Sequence, residues 1–383
     1  MRFFPLIWSS LFRRKVRTLF TLLSIVIAFV LFNYLAAVRV AFSMGVDVAG
    51  NDRLMLIHKV SFIQPLPESY RARILSVDGV KAVTHSTWFG GVYQDPRNFF
   101  AQFAVEPEGY LNMYPEFLLP DDAKERWYRN RTGAVVGRSL ADRFNWTVGD
   151  RIPLQGTIWR TQSGDTWEFT IDGIYDGAEQ GTDTTQFLFH YDYFAEANSL
   201  GRGFVGWYMI RIDDPNRAVA IGDTIDEQFA NSPFETATST EQAFVQAFAS
   251  QIGDIGTMMT AIMVAVLFTI LLVSANTMGQ SVRERTSELA VLKTLGFTNR
   301  GVLSLVLVES VLLAVVGGTI GMGLSWLVIQ QGDPTGGLLP AFFVPPRDLV
   351  IGAGLILFLG MASGIVPGVQ AVRLRIVDAL RRT

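Results

Sequence analysis

Ser281-Val282-Arg283-Glu284-Arg285-Thr286-Ser287-Glu288-Leu289-Ala290-Val291-Leu292-Lys293-Thr294-Leu295-Gly296-Phe297-Thr298-Asn299-Arg300 is a short charged stretch between two long apolar runs, 255–278 and 302–330. A bilayer span takes ~20 apolar residues, so each run is long enough to cross. A polar segment held between two spans cannot wander, and a push on it is felt in the membrane. Ser281 followed three residues later by Glu284 fits a capping box. Val282, Leu289, Leu292 and Leu295 share one helical face. Gly296 stands where a helix stops, because glycine takes the left-handed conformation cheaply. The stretch has no His, no Cys and no glycine-rich phosphate cradle. That points to a contact surface, although a helical hairpin that merely joins two spans satisfies the same periodicity.

Outward from this stretch, the 383 residues fall into four apolar blocks around one polar insert. Residues 1–17 pair Phe3, Phe4, Leu6, Ile7, Trp8, Leu11 and Phe12 with Arg13, Arg14, Lys15 and Arg17, the pattern of an amphipathic helix on a membrane surface. Residues 18–42 read as the first transmembrane helix. They are too long for a signal peptide, and no A-x-A cleavage site follows. Asn33 inside this span either glues helices together or simply faces protein, and the second reading is preferred. Arg39 at its outer end snorkels. The remaining spans are 255–278, 302–330 and 348–370, with the segment 279–301, a short loop 331–347 and a tail 371–383 beside them. Gly317, Gly318, Gly321 and Gly323 form a small-xxx-small pattern that lets helices approach closely. Arg2, Arg13, Arg14, Lys15 and Arg17, then Arg283, Arg285, Lys293 and Arg300, then Arg373, Arg375, Arg381 and Arg382 crowd one side of the membrane. The loop 331–347 holds only Arg347. By the positive-inside rule both ends and 279–301 are cytoplasmic, and the insert lies outside.

The insert, 43–252, alternates short strands and helices and reads as α+β. Strands are expected at 53–60, 80–89, 99–105, 134–136, 150–155, 157–160, 166–175 and 204–212. Helices are expected at 67–76, 138–145 and 215–230. The order suggests one βαβ-like unit from about 50–105 and 204–245, with a β-rich subdomain inserted.

The chemistry is sparse. A formal charge of −3 without a basic stripe excludes a nucleic-acid binder. With no cysteine, disulfides, thiol catalysis and cysteine metal sites are excluded. Gly133-Ala134-Val135-Val136-Gly137-Arg138-Ser139 misses the phosphate-loop pattern by one residue and has Arg for Lys, so no ATP site is assigned. His58, His85 and His190 are scattered and read as ordinary core or surface residues. Asp172, Asp176, Glu179 and Asp183 crowd what reads as a solvated glycine-rich loop, not at EF-hand spacing. Glu309 lies two turns into the third span. An intramembrane carboxylate is functional by default, and a Glu paired to a cation near the interface is the alternative.

Arg283 to Phe297 resembles the R-E-R-x-x-E-[IL]-x-[VL]-[LM]-[KR]-x-[LI]-G segment of MacB/FtsX-type ABC transporter permeases. Val308-Glu309-Ser310 through Gly317-Gly318 is similar to that family's E-[SA]-x-x-x-x-x-x-G-G run. Pro367 and Ile376-Val377-Asp378-Ala379-Leu380-Arg381 resemble its closing pattern, with Val377 where the family often has Pro. Gly133 to Leu154 is similar to the external domain of the MacB branch. The resemblance implies a polytopic α-helical membrane protein with four transmembrane helices and a large α+β extracytoplasmic domain between the first and second. That domain would have a Porter-like part (43–105 and 204–252) and a Sabre-like insert (106–203). The resemblance makes 281–297 a coupling helix docked on an ATPase, with Glu284, Arg285, Glu288, Leu289, Leu292, Lys293, Leu295, Gly296 and Phe297 at the contact. It gives Glu309, Gly317, Gly318 and Gly321 to intramembrane packing.

The same resemblance implies a non-catalytic subunit that binds no cofactor directly, with ATP and Mg held by a separate ATPase polypeptide, since this chain begins at the amphipathic helix and MacB carries its ATPase ahead of span one. A second permease copy or a paralogous permease, membrane lipids, and a periplasmic adaptor with an outer-membrane channel are the other implied partners, with no nucleic acid. The implied location is the bacterial inner membrane. The implied work is mechanical export of a periplasmic substrate. The alternatives are extraction of lipoprotein or lipid from the outer leaflet, or FtsX-like signalling to a cell-wall hydrolase.

Overall fold

The computed structural model describes residues 15–48, 50–162, 164–179, 181–199, 203–251, 255–331 and 342–373. The expected amphipathic helix before residue 15, most of the loop 331–347 and the tail motif Ile376–Arg381 lie outside these residues. The described residues divide into two compact units, one of long helices and one built on the insert.

The chain enters through α1 (Lys15–Val48), whose Lys15–Ala41 stretch is long and apolar enough to cross a membrane. The insert then runs β1 (Arg53–His58), β2 (Leu66–Pro67), α2 (Tyr70–Leu75), β3 (Val80–Trp88), β4 (Gly91–Val92), β5 (Gln102–Val105), α3 (Pro107–Met113), β6 (Phe117–Leu118), α4 (Asp121–Arg129) and β7 (Gly133–Gly137). It continues with α5 (Arg138–Phe144), β8 (Arg151–Gly156), β9 (Thr166–Gly177), β10 (Phe187–His190), α6 (Tyr191–Ala197), β11 (Phe204–Val205), β12 (Trp207–Ile212), α7 (Ala218–Phe229), β13 (Thr236–Thr240) and α8 (Glu241–Gln251).

One sheet carries the insert, in the order β13-β1-β12-β3-β5-β10-β7-β9-β8-β4, with β6 pairing β9. β12 runs antiparallel to both β1 and β3, and β1 runs antiparallel to both β12 and β13. Two split β-α-β units therefore interlock, β1-α2-β3 around β12 and β12-α7-β13 around β1, which is the ferredoxin-like arrangement. The expectation of a single βαβ-like unit is corrected to this pair. β5 pairs β3 on one side and β10, in parallel, on the other, so the sheet continues unbroken into the middle of the insert.

Local sequence explains most elements. In β8, Ile152 and Leu154 are buried while Arg151, Pro153 and Gln155 are exposed, the period of two of a half-covered sheet. In α7, Ala218, Ile221, Ile225 and Phe229 recur at helical spacing and form the buried face, with Phe229 stacked on Tyr70 at 3.9 Å. The strand expected at 157–160 does not form. That segment is an irregular connection in which Trp159 donates its indole N–H to the Trp88 carbonyl at 2.9 Å. Asp172 and Asp176 lie on strand β9 rather than in a loop. Asp172 accepts from Asn130 at 3.1 Å, and Asp176 pairs with Arg138 at 2.9 Å.

After α8 come α9 (Ile255–Glu284), α10 (Thr286–Thr294), α11 (Asn299–Ile329) and α12 (Pro346–Val372). With α1, three of these are long and apolar enough to span: Gly256–Glu284, Asn299–Ile329 and Pro346–Val372. Close approach depends on glycine. A Cβ on Gly321 would lie 2.6 Å from the Val26 carbonyl, and one on Gly317 2.8 Å from Ile25, both on α1. A Cβ on Gly318 would strike Ile356 of α12, and one on Gly360 would sit 2.7 Å from the Val311 Cα. Gly323, grouped with these in the sequence, has nothing near it. Asn33 donates to the Ser325 hydroxyl at 2.7 Å, so it bridges α1 and α11, and the preferred reading of a passive protein-facing residue is corrected. Arg39 meets the Asp348 carboxylate through two bonds of 2.9 and 2.8 Å, tying α1 to the start of α12.

His85 on β3 is buried 4.4 Å from the Tyr191 ring, and its Nδ1 has no hydrogen-bond partner. Burial, with a smaller push from the Arg71 charge, drives its imidazole down to about 4. Its folded value lies below the ordinary 6.5 of the unfolded chain, so the unfolded chain takes up the proton first as pH falls. Stability from this site is complete above pH 6.5 and is lost between 6.5 and 4, by roughly 3 kcal/mol. His85→Leu should flatten the pH dependence of the insert's urea midpoint in that window. An unchanged slope would assign the acid sensitivity elsewhere.

Candidate functional site

The charged stretch forms two helices rather than one capped helix. α9 continues past the apolar run to Glu284, and Ser281 and Val282 are buried in its last turn. Ser281 is therefore not an N-cap, and the capping-box expectation is corrected. The apolar contacts of Val282 with the cluster around Met278, Val302 and Val306 reward continuing the helix. The break falls at Arg285, whose backbone leaves helical values at φ −104°, ψ 19°. The Thr286 hydroxyl donates to the Arg283 carbonyl at 2.7 Å and satisfies one acceptor freed by the break.

α10 ends as its glycine dictates. Gly296 has φ +97°, its N–H donates to the Lys293 carbonyl, and the Phe297 N–H donates to the Leu292 carbonyl, each at 3.1 Å. This is a Schellman closure, with Leu292 and Phe297 packed in the same apolar cluster. The Thr298 hydroxyl then caps α11 by accepting from the Gly301 N–H at 3.2 Å.

Three polar contacts tie this region to the other long helices. Arg285 Nη1 donates to Glu309 Oε2 of α11 at 2.9 Å, and Glu309 is only 4% exposed. Lys293 Nζ donates at 2.7 Å to the Val372 carbonyl, an orphan acceptor at the end of α12. Arg17 of α1 pairs with Glu284 at 2.7 Å. Of the two readings of Glu309, the structure takes the one in which a cation pairs with it. Glu284 and Glu288 stand on different helices and are engaged within the chain, Glu288 with Arg285 at 3.3 Å.

The apolar residues of α10 divide. Leu289 and Ala290 are buried, and Leu292 and Phe297 pack against the same cluster. Leu295 is 74% exposed and Val291 47%, with Thr294 and Gly296 exposed beside them. The contact residues Leu292, Leu295, Gly296 and Phe297 therefore separate into an anchored half and an outward half. Val291, absent from the sequence-based set, belongs to the outward half. It sits four residues before Leu295, the spacing that signals it. The surface offers an apolar knob ringed by polar groups, a geometry for contact rather than bond chemistry.

Comparison with known proteins agrees with this architecture. Residues 18–228 match the MacB-like periplasmic core domain family, and residues 260–376 match the FtsX-like permease C-terminal family. The chain belongs to the MacB/FtsX-type family of ABC transporter permeases. It is a multi-pass membrane protein with a large α+β domain of periplasmic type between its first and second spanning helices. It is 25% identical over 329 residues to the uncharacterized ABC transporter permease MJ1507 of Methanocaldococcus jannaschii, covering 80% of this chain and 77% of that one. It is 30% identical over 164 residues to the uncharacterized ABC transporter permease YknZ of Bacillus subtilis, 40% of this chain and 39% of the relative. It is 31% identical over 107 residues to the macrolide export ATP-binding/permease protein MacB of Campylobacter fetus, 28% of this chain and 16% of that protein.

The pairing of buried Glu309 with half-buried Arg285 makes a clear prediction. Breaking a fully buried pair costs about 3–5 kcal/mol and a partly exposed one less, whereas replacing both by apolar residues is close to neutral. Glu309→Leu should lower the melting temperature of the detergent-solubilised chain markedly, and Arg285→Met added to it should restore most of the loss. Additive losses would show that the two residues act separately.

Proposed function

We propose that the chain is the permease subunit of an ABC transporter in the bacterial inner membrane, and that α10 is the helix through which a separate ATPase subunit drives it. The observation that carries this reading is the divided helix. Val291 and Leu295 face outward as an apolar knob, while Arg285, Lys293 and Glu284 fasten the same region to α11, α12 and α1. A helix built only to connect two spans needs neither half. ATP and Mg bind in the partner, and closure of a pair of ATPases pushes the α10 helices of two permease copies. Force enters at the knob and leaves through the three polar ties into the long helices. The cations at 283–300 support a cytoplasmic α10 and an insert outside. The spans then move the insert, which exports a periplasmic substrate together with an adaptor and an outer-membrane conduit.

Buried apolar anchors carry most of the binding energy of such contacts, and exposed ion pairs contribute ~0–1 kcal/mol. Leu295→Asp should reduce co-purification of the ATPase about tenfold or more while the permease keeps its yield and melting temperature. Leu292→Asp should instead lower stability, because Leu292 packs inward. The purified chain freed of ATPase should not hydrolyse ATP. Retention of the ATPase by Leu295→Asp would reduce α10 to a connector.

Topology has its own test. The chain has no cysteine, so Asn112→Cys and Asn299→Cys each report one side. An impermeant maleimide applied to outer-permeabilised cells should label the first and spare the second. Equal labelling would reject the orientation.

A further inference from the structure

The insert holds a second buried ionic cluster at the place where the chain leaves the first long helix and turns back toward the second. Arg53, the first residue of β1, is 6% exposed at its side chain. Its Nε donates to Glu241 Oε2 at 2.5 Å and its Nη2 to Glu116 Oε1 at 2.8 Å. Glu241 is the first residue of α8, which leads toward α9, and its carboxylate also accepts from the Gly50 N–H at 3.2 Å and the Tyr114 hydroxyl at 2.9 Å. The Arg53 guanidinium stands 4.6 Å over the Tyr114 ring.

A second arginine reinforces the first. Arg211 on β12 is the direct cross-strand partner of Arg53. It donates to the carbonyls of Asn112 at 2.9 Å and Met113 at 2.6 Å, the orphan acceptors at the end of α3. Like charges placed directly opposite across a sheet are unfavourable. Buried ion clusters are also seldom better for stability than apolar packing of the same volume. What a planar guanidinium supplies is fixed geometry, two carboxylates held at set angles by a fork of donors.

We propose that Arg53 is a positioning residue that latches three segments into one mechanical unit: Gly50–Arg53 after the first membrane helix, Glu241 ahead of the second, and residues 112–118 of the insert. Asn112, Pro115, Phe117 and Leu118 of the third segment wall a cavity of about 590 Å³, together with Lys124 of α4 and Asp176 of β9. Displacement of either membrane connection is thereby delivered to the cavity wall. That use of the latch rests on the mechanical function proposed above, whereas the unity of the three segments does not.

The test uses the full chain in nanodiscs. Arg53→Lys keeps the buried charge and removes the fork, and Arg53→Met/Glu241→Met removes the pair. A lost charge-assisted hydrogen bond is worth enough to speed local amide exchange roughly tenfold. Both variants should speed exchange in 111–118 by that factor while β10 stays protected as in the parent. Unchanged exchange in 111–118, or an equal rise in β10, overturns the latch. A second readout places an environment-sensitive dye at Leu118→Cys in complex with the co-purified ATPase. Its emission should change on adding ATP in the parent, and the change should vanish with Arg53→Lys. An ATP response that survives Arg53→Lys overturns the latch. If the parent dye ignores ATP while exchange behaves as expected, the latch stands and the mechanical function fails.

Discussion

The salt bridge between Arg285 and Glu309 fixes how the short helix α10 is attached to the bundle. α9 arrives as a continuous helix, and without a defined break α10 would be its extension. Arg285 sits at that break and reaches a carboxylate nearly three turns into α11. An apolar contact at this place would tolerate rotation of α10 about the break. A guanidinium on a buried carboxylate resists it, because turning α10 draws Arg285 away from the buried Glu309. The Lys293 contact with the end of α12 fixes the other end of α10. The helix is therefore held at two points.

α11 is the hub of the helical unit. Gly317 and Gly321 admit α1 on one side, and Gly318, with Gly360 and Gly364 on α12, admits α12 on the other. Serines lie along the same seams. Ser310 donates to the Gly360 carbonyl and stands 3.3 Å from Ser363, and Ser325 receives Asn33. In lipid, apolar helices gain little by leaving lipid for one another, so association rests on such bonds together with close packing. α9 differs. Only 17% of its apolar window is covered within the chain, against 50% for α11. Its outer face needs lipid or another protein to cover it.

Much of this was legible in the sequence, and the gaps have physical causes. The spans were visible because ~20 apolar residues in a row have few other uses. Gly296 was readable because its reason is local, a positive φ closing a helix. The error at Ser281 arose because a capping box is also a local pattern, and a buried tertiary contact at Val282 overrode it. Glu309 was conspicuous, but its partner Arg285 was not, because pairing across a turn depends on where the helix breaks. Helices α3, α4 and α6 were not expected from the sequence; they bury Tyr110, Leu111 and Met113, then Ala123 and Trp127, then Tyr191, Phe194 and Ala195. In α4 only Ala123 and Trp127 turn inward. The Arg53 cluster lay beyond reach for a different reason. Arg53, Glu116 and Glu241 are far apart in sequence, and only the interlocked sheet brings them together.

That sheet also sets how the two connecting segments join the insert. Interlocking two split β-α-β units makes β1 and β13 neighbours, so the strand that follows α1 lies beside the strand that precedes α8. Both connections thus attach at one margin of the sheet. The middle of the insert joins farther along, through β3 and β5, with strands about 4.8 Å apart. A displacement passing only through the sheet would cross several ladders, each able to twist. Arg53 and Arg211 provide a direct route on one face, from the margin to the end of α3 and on to residues 112–118. The two routes share β1, so they cannot move independently without breaking either the ladder or the ionic cluster. A ferredoxin-like base thus carries its long insertion between the second and third strands, and the arginines bond the margin of that base directly to the insertion.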